Sequence, residues 1–220
     1  FGVSLDLTPA QIAQAIDPQG IGFMFAPAHH AAMRHAVAPR RELGMRTLFN
    51  ILGPLTNPAH VERQVLGVFS QSLCQPLAEA LGKLGSRHAL VLHSDDGLDE
   101  ISVVAPSRVW ELRDGVVERF HIRPADYGHG HEDLTGLVVE NAAQSADLIR
   151  AAFSGASDPA ASKARSMIAL NAGAAIYVAG VVPTFRAGVE AADEALASGL
   201  AQDKLDSFVA CTREMAGVGA

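Results

Sequence analysis

Acidic residues crowd one short stretch near the middle of the chain, "HSDDGLDEIS". Four carboxylates lie within six residues there: Asp95, Asp96, Asp99 and Glu100. The mutual repulsion of such carboxylates is relieved when a hard divalent cation binds between them. Magnesium fits best, because proteins usually hold this ion with one or two carboxylates together with substrate phosphates. The residue types alone also allow a solvated acidic turn, and their spacing does not match the calcium-loop pattern.

Basic residues are grouped earlier, in "RHAVAPRRELGMR". The group consists of Arg34, Arg40, Arg41 and Arg46, and it follows His29 and His30. An arginine just before a loop rich in Gly and Pro suits bidentate binding of a carboxylate, although the same residues are also typical of a solvated helix face. A histidine pair of this kind is more often a hydrogen-bonded structural feature than a metal site. Both interpretations of the group stay open on the residues alone.

An α/β fold must position these residues. The apolar stretches "RQVLGVFS" and "HALVLHS" predict strands, and "SQSLCQPLAEALGKLG" between them has helical spacing, which together predict a β-α-β unit with a parallel strand pair. The acidic stretch comes directly after the second strand, where ligands bind in open α/β sheets. The compact run "IGFMFAP", bounded by Gly and Pro, predicts another buried strand.

A hairpin and several helices complete the predicted fold. Alternation around Asp114-Gly115 predicts the hairpin, and Thr8-Pro9 predicts a capped helix reaching about Ile16. "HHAAMRHAVAPRRELG" predicts a helix that Pro39 breaks or restarts. Helices are also predicted at 141–153 and 159–179, with a last pair between about 188 and 214. The expected fold is a single α/β domain over 1–220: a central, mainly parallel sheet flanked by helices, with a β-hairpin excursion.

Composition and charge exclude some classes of protein. The formal net charge of -7 argues against a protein that scans nucleic acid or lies on a membrane surface, since both need clustered Lys and Arg. Cys74 and Cys211 lie far apart in helix-like contexts, which favours a reducing cytosol over a disulfide framework. The longest apolar run, 167–182, contains Asn171 and is too short to cross a bilayer. We therefore expect a cytoplasmic protein that binds neither nucleic acid nor membrane.

Three stretches, in this order, resemble the anthranilate phosphoribosyltransferase family of the tryptophan pathway. They are "FAPAHHAAMRHAVAPRRELGMRTLFNILGPLTNPA", "HSDDGLDEIS" and "LNAGAA", and the resemblance covers essentially all 220 residues. It implies a C-terminal domain of the nucleoside phosphorylase/phosphoribosyltransferase-like fold. The implied reaction moves the phosphoribosyl group of 5-phosphoribosyl 1-diphosphate to the amine of anthranilate and releases diphosphate. Family members use Mg²⁺, two ions with the diphosphate substrate, and are homodimers at full length.

The resemblance also assigns binding residues. Asp99 and Glu100 match the acidic pair that holds the second magnesium. Arg40 matches the arginine that binds the anthranilate carboxylate, with Arg41 as the alternative because Pro39 stands where the family usually has a small aliphatic residue. The rest of the anthranilate pocket would comprise His30 at its front and Gly53 and Pro54 as rigid walls. No catalytic acid or base is assigned, because an oxocarbenium-like transition state needs mainly placement and charge neutralisation.

Parts of the family pattern are not found in this sequence. Family members carry a helical N-terminal region, a "GTGGD"-type glycine loop and a "KHGN"-type loop upstream of the segment that matches Phe1. The expectation is therefore that these 220 residues correspond to the C-terminal portion of such an enzyme and are inactive alone. Two alternatives are a pyrimidine nucleoside phosphorylase-like enzyme and a non-catalytic paralogue that acts as a binding module.

Overall fold

The protein divides into two compact units in a computed structural model, which describes residues 1–25, 52–53, 55–57 and 59–217. One unit comprises 1–58 with 201–220, and the other comprises 59–200. This division does not by itself decide the expectation of a single domain over 1–220, which stays a prediction.

The larger unit contains a four-stranded sheet and four of the described α-helices. The strands are β1 (Arg63–Gly67), β2 (His88–Ser94), β3 (Ser107–Arg113) and β4 (Val116–Ile122). The helices are α2 (Cys74–Lys83), α3 (Ala142–Phe153), α4 (Pro159–Ala179) and α5 (Phe185–Ala197), with 3₁₀ turns at Gln71–Leu73 and Pro124–Tyr127. The strand order is β1-β2-β3-β4.

The predicted β-α-β unit and hairpin are confirmed. Strands β1 and β2 are parallel, with Val65 opposite Leu90, and α2 connects them. Strands β3 and β4 form the hairpin, and its turn places Asp114 at φ 47° and Gly115 at φ 85°. Positive φ at both central residues is the geometry that an Asp-Gly pair favours. All of β2 except His93 is buried, as expected for a strand covered on both faces.

The α/β class with flanking helices is confirmed, but the described sheet is mixed rather than mainly parallel. One of its three pairings is parallel and two are antiparallel, because the hairpin adds β3 and β4 beside β2. The strand predicted at "IGFMFAP" is not formed by residues 21–25, which have no regular secondary structure. Phe23 is 51% exposed and Ile21 is 46% exposed, so residues 21–25 are not a buried strand. The apolar run has no periodicity, so its sequence could not distinguish a buried strand from a segment of another conformation.

The core of the larger unit lies between β2, β3 and helix α4. Leu90 and Leu92 from β2 pack with Leu170 and Ala174 from α4 in one buried cluster. Helix α4 begins as the sequence predicts: the Asp158 carboxylate accepts from Ala161 N at 3.0 Å, with Pro159 in the first turn. None of the described helices is long and apolar enough to cross a membrane.

Two glycines bring helices α4 and α5 into close contact. A Cβ added at Gly173 would lie 2.7 Å from the backbone nitrogen of Val189, and one at Gly188 would lie 2.3 Å from the carbonyl oxygen of Gly173. Backbone atoms cannot move aside as flexible side chains do. Both positions therefore require glycine for this helix packing.

Among the described residues, the smaller unit contains α1 (Pro9–Gln19) and most of α6 (Leu200–Met215). The predicted capping box is confirmed: Gln11 N donates to Thr8 Oγ1 at 3.3 Å, and Thr8 N donates to Gln11 Oε1 at 2.9 Å. The helix runs past the predicted end near Ile16, because Gly20 caps it in the left-handed region at φ 68°. The Gln11 side chain also donates to Met215 O at 2.7 Å, which joins the two helices.

Candidate active site

The acidic stretch forms a tight loop at the carboxyl end of β2. Ser94 N donates to Leu98 O at 2.9 Å, and Gly97 N donates to Ser94 O at 2.9 Å. Gly97 adopts φ 93°, which glycine reaches without strain. The chain reverses here and carries its carboxylates into solvent, since Asp95, Asp99 and Glu100 are all exposed residues.

Two of the four carboxylates already have partners within the protein. Arg108 Nε donates to Asp95 Oδ1 at 2.5 Å, and Ser102 Oγ donates to Asp96 Oδ2 at 2.5 Å. The Asp96 carboxylate also accepts from Leu98 N at 3.4 Å. These bonds stabilise the loop. Arg108 neutralises the charge of Asp95, and the bonds to Asp96 satisfy its carboxylate oxygens. The remaining pair is Asp99 and Glu100.

The Asp99 and Glu100 carboxyl groups lie close enough to interact directly. Glu100 is exposed as a residue, but its carboxyl is partly desolvated, and this raises its pKa first; the charge of Asp99 and a hydrogen bond with it raise the pKa further. Two carboxylates that repel each other in this way are a suitable donor set for a divalent cation. Among the described residues no group of three or more His, Cys, Asp and Glu side chains could hold a metal. Two carboxylates of this kind can hold Mg²⁺ where substrate phosphates supply further oxygens.

Three residues from other elements fix the backbone of this pair. Gly67 on β1 packs so closely that a Cβ there would lie 1.6 Å from Asp99 O. Ser94 Oγ donates to Glu100 O at 2.6 Å. The residue after Glu100 is Ile101, and Asn171 on α4 bonds both of its backbone groups. Asn171 Oδ1 accepts from Ile101 N at 2.9 Å, and Asn171 Nδ2 donates to Ile101 O at 3.0 Å.

The sequence alone does not reveal this role of Asn171. In the sequence the residue stands out only as part of "LNAGAA" and as a polar break in an apolar run. A polar amide on a helix face that is otherwise buried must find hydrogen-bond partners, and that signal points to a structural clamp. Its partner lies 70 residues away, so the sequence could not identify which segment it holds.

Most of the predicted anthranilate pocket lies outside the described residues. This applies to His30, Arg40, the alternative Arg41, and Pro54. Gly53 is described: it is half-buried in a short helical turn, and its carbonyl accepts from Thr56 N at 3.1 Å. A Cβ added at Gly53 would meet nothing within 4 Å among the described residues, and its place in a pocket wall stays a prediction.

The two histidines of "GHGHED" join a loop to helices α4 and α5. His129 Nε2 lies 3.0 Å from Asp193 Oδ2, and His131 Nε2 lies 2.9 Å from Ser166 Oγ. Burial lowers the pKa of His131, and the nearby positive charge of Lys163 adds to this effect. These contacts give both histidines a structural role in the larger unit.

The fold and the loop together define an α/β unit with an acidic pair held at the carboxyl end of an inner strand. Residues 1–202 match the model of a glycosyl transferase family, described as its a/b domain. The chain belongs to this glycosyl transferase family.

Close relatives carry one name. The protein called anthranilate phosphoribosyltransferase in Teredinibacter turnerae is 56% identical over 211 residues, which cover 96% of this chain and 62% of the relative. The protein of that name in Stutzerimonas stutzeri is also 56% identical over 211 residues, with 61% of its length covered. These matches confirm the resemblance found in the sequence. The chain thus spans about three fifths of the length of the curated relatives it matches.

Solved structures agree with these relatives. A crystal structure of anthranilate phosphoribosyltransferase from Thermus thermophilus matches with a TM-score of 0.86 and 40% identity, over 96% of this chain and 62% of that one. The Saccharomyces cerevisiae enzyme, described in complex with PRPP and Mg, matches with a TM-score of 0.83 over 97% of this chain and 60% of that one. Its 24% identity shows a shared fold alone.

Proposed function

We propose that the protein containing this chain is an anthranilate phosphoribosyltransferase of tryptophan biosynthesis. The amine of anthranilate attacks the anomeric carbon of 5-phosphoribosyl 1-diphosphate; a C–N bond forms, the C–O bond to diphosphate breaks, and the amine loses a proton to solvent. The observation that carries this proposal is the 56% identity over 211 residues to relatives of that name. The acidic pair on the β2 loop is the part of the described structure that fits this chemistry.

Asp99 and Glu100 would hold Mg²⁺ at the diphosphate, as the second of two ions. When bound, the ion neutralises charge that develops on the leaving group. The protein contributes the placement of the two carboxylates, because Gly67, Ser94 and Asn171 fix the backbone that carries them. Asp95 and Asp96 are engaged by Arg108 and Ser102, so we assign neither to the metal.

The anthranilate side of the site is proposed on the sequence resemblance. Arg40 would bind the substrate carboxylate through two parallel hydrogen bonds, with Arg41 as the alternative. His30 would lie at the front of the pocket, and Gly53 and Pro54 would form its walls. Holding both reactants in line accounts for most of the expected catalysis, so no general base is required.

Anthranilate fluorescence tests this function directly. The complete product of the gene that encodes this chain is mixed with anthranilate and 5-phosphoribosyl 1-diphosphate, with and without Mg²⁺. We expect loss of fluorescence that requires magnesium. Asp99→Asn and Glu100→Gln should each lower kcat/KM by about 100-fold or more, since charge neutralisation by a metal contributes several kcal/mol.

Asp95→Asn is the matched control, because it removes the same charge from the same loop at a carboxylate that Arg108 already engages. It should change kcat/KM by about threefold or less, given the small worth of exposed ion pairs. A flat trace from folded protein would contradict the proposed activity. Equal losses in the control and in Asp99→Asn would contradict the metal assignment alone.

We further propose that the full-length protein is a homodimer in the cytoplasm. The support is the resemblance to the family. Sedimentation equilibrium on the complete gene product measures the mass directly. A monomer at micromolar concentration would contradict the dimer without affecting the proposed reaction.

A further inference from the structure

A cavity lies at the opposite end of the sheet from the acidic loop. It has a volume of about 430 Å³ and lies where β1 and β2 begin and where β3 and α4 end. Strand β2 is seven residues long, so its two ends are about 20 Å apart at about 3.3 Å per residue. The cavity is therefore separate from the proposed magnesium site, and it is large enough for a small ligand.

Positive charge dominates the lining of this cavity. Arg63, Arg87 and Arg113 contribute three cations and Asp114 one anion, which leaves a formal charge of +2 with His88 neutral. The whole chain has a formal net charge of -7. Such a local excess of arginines in a concave surface attracts anions against the overall charge of the protein.

Two of the arginines are held in place by the larger unit. Arg63 Nη1 donates to Val178 O at 2.9 Å near the end of α4, and Arg113 Nη1 donates to the Tyr177 hydroxyl at 3.3 Å. Each guanidinium has five N–H donors, and these bonds use one of them. An anion that enters the cavity would meet donors whose positions are already fixed, which lowers the entropic cost of binding.

A hydrogen-bond network behind the cavity lining holds Tyr177, the partner of Arg113, in place. The Tyr177 hydroxyl donates to Glu111 Oε1 at 2.6 Å, and His88 Nε2 lies 2.7 Å from the same oxygen. These contacts satisfy the Glu111 carboxylate, whose side chain is 14% exposed. The carboxylate does not line the cavity, but it lies one hydrogen bond from Tyr177 and His88, so its negative charge reduces the positive excess there.

The third arginine is free to change partners. Arg87 lies 3.9 Å from Glu62 Oε2, and both side chains are 62% exposed. An exposed ion pair at this distance contributes little, so an incoming anion can replace Glu62. Val181, Val182 and Pro183 line the other side of the cavity, and Val181 is 75% exposed. This apolar side suits a ligand with a small apolar body.

We propose that this cavity is a second ligand site, which binds a small oxyanion, a carboxylate or a phosphate ester, with its charged group on Arg87 and Arg113. Planar guanidinium groups bind both anions through paired hydrogen bonds. The apolar group of the ligand packs against the segment 181–183. The site requires neither the acidic pair nor a metal ion.

Nuclear magnetic resonance titration of the complete gene product tests the site. The probes are inorganic phosphate and benzoate, added separately without magnesium, and the signals are the backbone amides of Asp114 and Gly180, with Gly97 on the acidic loop as the reference. We expect saturable shifts at Asp114 and Gly180 and none at Gly97. Saturation by phosphate alone assigns the ligand to the phosphates, and saturation by benzoate assigns it to carboxylates with an apolar body.

Variants locate the binding. Arg87→Gln and Arg113→Gln should each raise the dissociation constant of the probe by about tenfold. This is the expected loss for one charged hydrogen-bonded group. Arg119→Gln is the matched control, because Arg119 stacks over Trp110 at 5.8 Å on the hairpin and does not line the cavity. Arg87→Gln should fold as the parent does, since that side chain is exposed and loosely paired.

Several outcomes would overturn the site. One is the lack of saturable binding of either probe up to about 50 mM, a concentration at which even a weak specific site is occupied. Another is unchanged affinity in both Arg87→Gln and Arg113→Gln. Loss of binding in Asp99→Asn would place the anion at the acidic loop instead. Because no readout uses turnover, failure here leaves the proposed transferase activity untouched.

Discussion

At the level of single residues, Asn171 uses its whole amide to hold two carbonyl groups and one amide N–H. Besides Ile101, its Nδ2 donates to Met167 O at 2.9 Å. Asn171→Ala leaves the partly buried N–H and C=O groups of Ile101 without their partners. Each unsatisfied group costs about 1–3 kcal/mol of folding free energy. We expect the segment that carries Glu100 to loosen, and the Mg²⁺ concentration for half-maximal turnover to rise about tenfold or more.

Asn141→Ala is the control for that prediction. Asn141 caps helix α3 and accepts from Gln144 N at 3.0 Å, so its loss should cost about 1 kcal/mol of stability. It does not contact the acidic loop, and the magnesium requirement should stay as in the parent protein. If both variants shift the magnesium requirement equally, Asn171 acts only through global stability.

The Asp133 carboxylate makes a pH-dependent contribution to stability. Lys163 Nζ donates to Asp133 Oδ1, and this bond lowers the pKa of Asp133 to about 2. A depressed carboxyl pKa adds stability that is fully present above the unfolded value of about 3.9 and is lost as the pH falls through the folded value. The urea midpoints of the parent and Asp133→Asn should therefore differ at pH 7, begin to converge below about pH 4 and meet as the pH falls past about 2.

Salt and a second variant complete this experiment. Asp133 is well exposed, so about 1 M NaCl should narrow the difference at pH 7. Asp147→Asn on the exposed face of α3 should leave the midpoint at its parent value throughout. A gap between parent and Asp133→Asn that is constant from pH 7 to pH 2.5 would contradict the pKa assignment.

Residue-level prediction from the sequence worked where the signal is local. The acidic loop was found because its four carboxylates are neighbours in the chain and follow a recognisable strand. Its division into engaged acids and a remaining pair could not be predicted. That division depends on Arg108, which faces the loop because β3 pairs with β2, and on the side-chain bond of Ser102 to Asp96.

At the level of elements, the close packing of α4 on α5 should reverse the usual effect of a Gly→Ala substitution on stability. Gly→Ala inside a helix normally stabilises by about 1 kcal/mol. Gly173→Ala should instead destabilise the protein by about 1–3 kcal/mol, because the new methyl would lie 2.7 Å from the Val189 backbone nitrogen. Thermal or urea unfolding measures the difference.

Ala175→Gly gives the scale for that result. Ala175 is exposed on the same helix, so its replacement should cost about 1 kcal/mol through helix propensity alone. If propensity also governed position 173, Gly173→Ala would gain stability by a similar amount. A stabilised Gly173→Ala protein would show that the two helices can separate at little cost.

Elements with caps were predicted well, and the apolar run without periodicity was not. Helices α3 and α4 begin next to Asn141 and Asp158, whose side chains accept from the first turn. These signals are local, and sequence carries them. The run at 21–25 was apolar enough for a strand, but a strand also needs a neighbouring ladder, and none forms with the described residues.

At the level of the whole molecule, each compact unit contains one cysteine, and the two thiols should differ in reactivity. Cys74 is 0% exposed and burial raises its pKa to about 11, whereas Cys211 is partly exposed. Because the thiolate is the reactive form, Ellman's reagent at pH 8 should label one thiol in the native protein and both in denaturant.

Serine variants assign those thiols. Cys211→Ser should abolish the native reaction, and Cys74→Ser should leave it intact. Equal native labelling of both thiols would mean that the larger unit opens around α2 on the timescale of the reaction. The division into two units itself was not visible in the sequence, since no shift in composition or linker marks residues 58–59 or 200–201.

Gly67 has a consequence for how the protein can vary. Its missing side chain leaves room for the Asp99 carbonyl, so a strand residue without any functional group limits where the acidic pair can lie. In a saturation scan of the gene, position 67 should tolerate substitution as poorly as the acids themselves. Epistasis is also expected between position 67 and the loop. Loop substitutions that move the Asp99 carbonyl away from β1 should restore function to variants with a larger residue at 67.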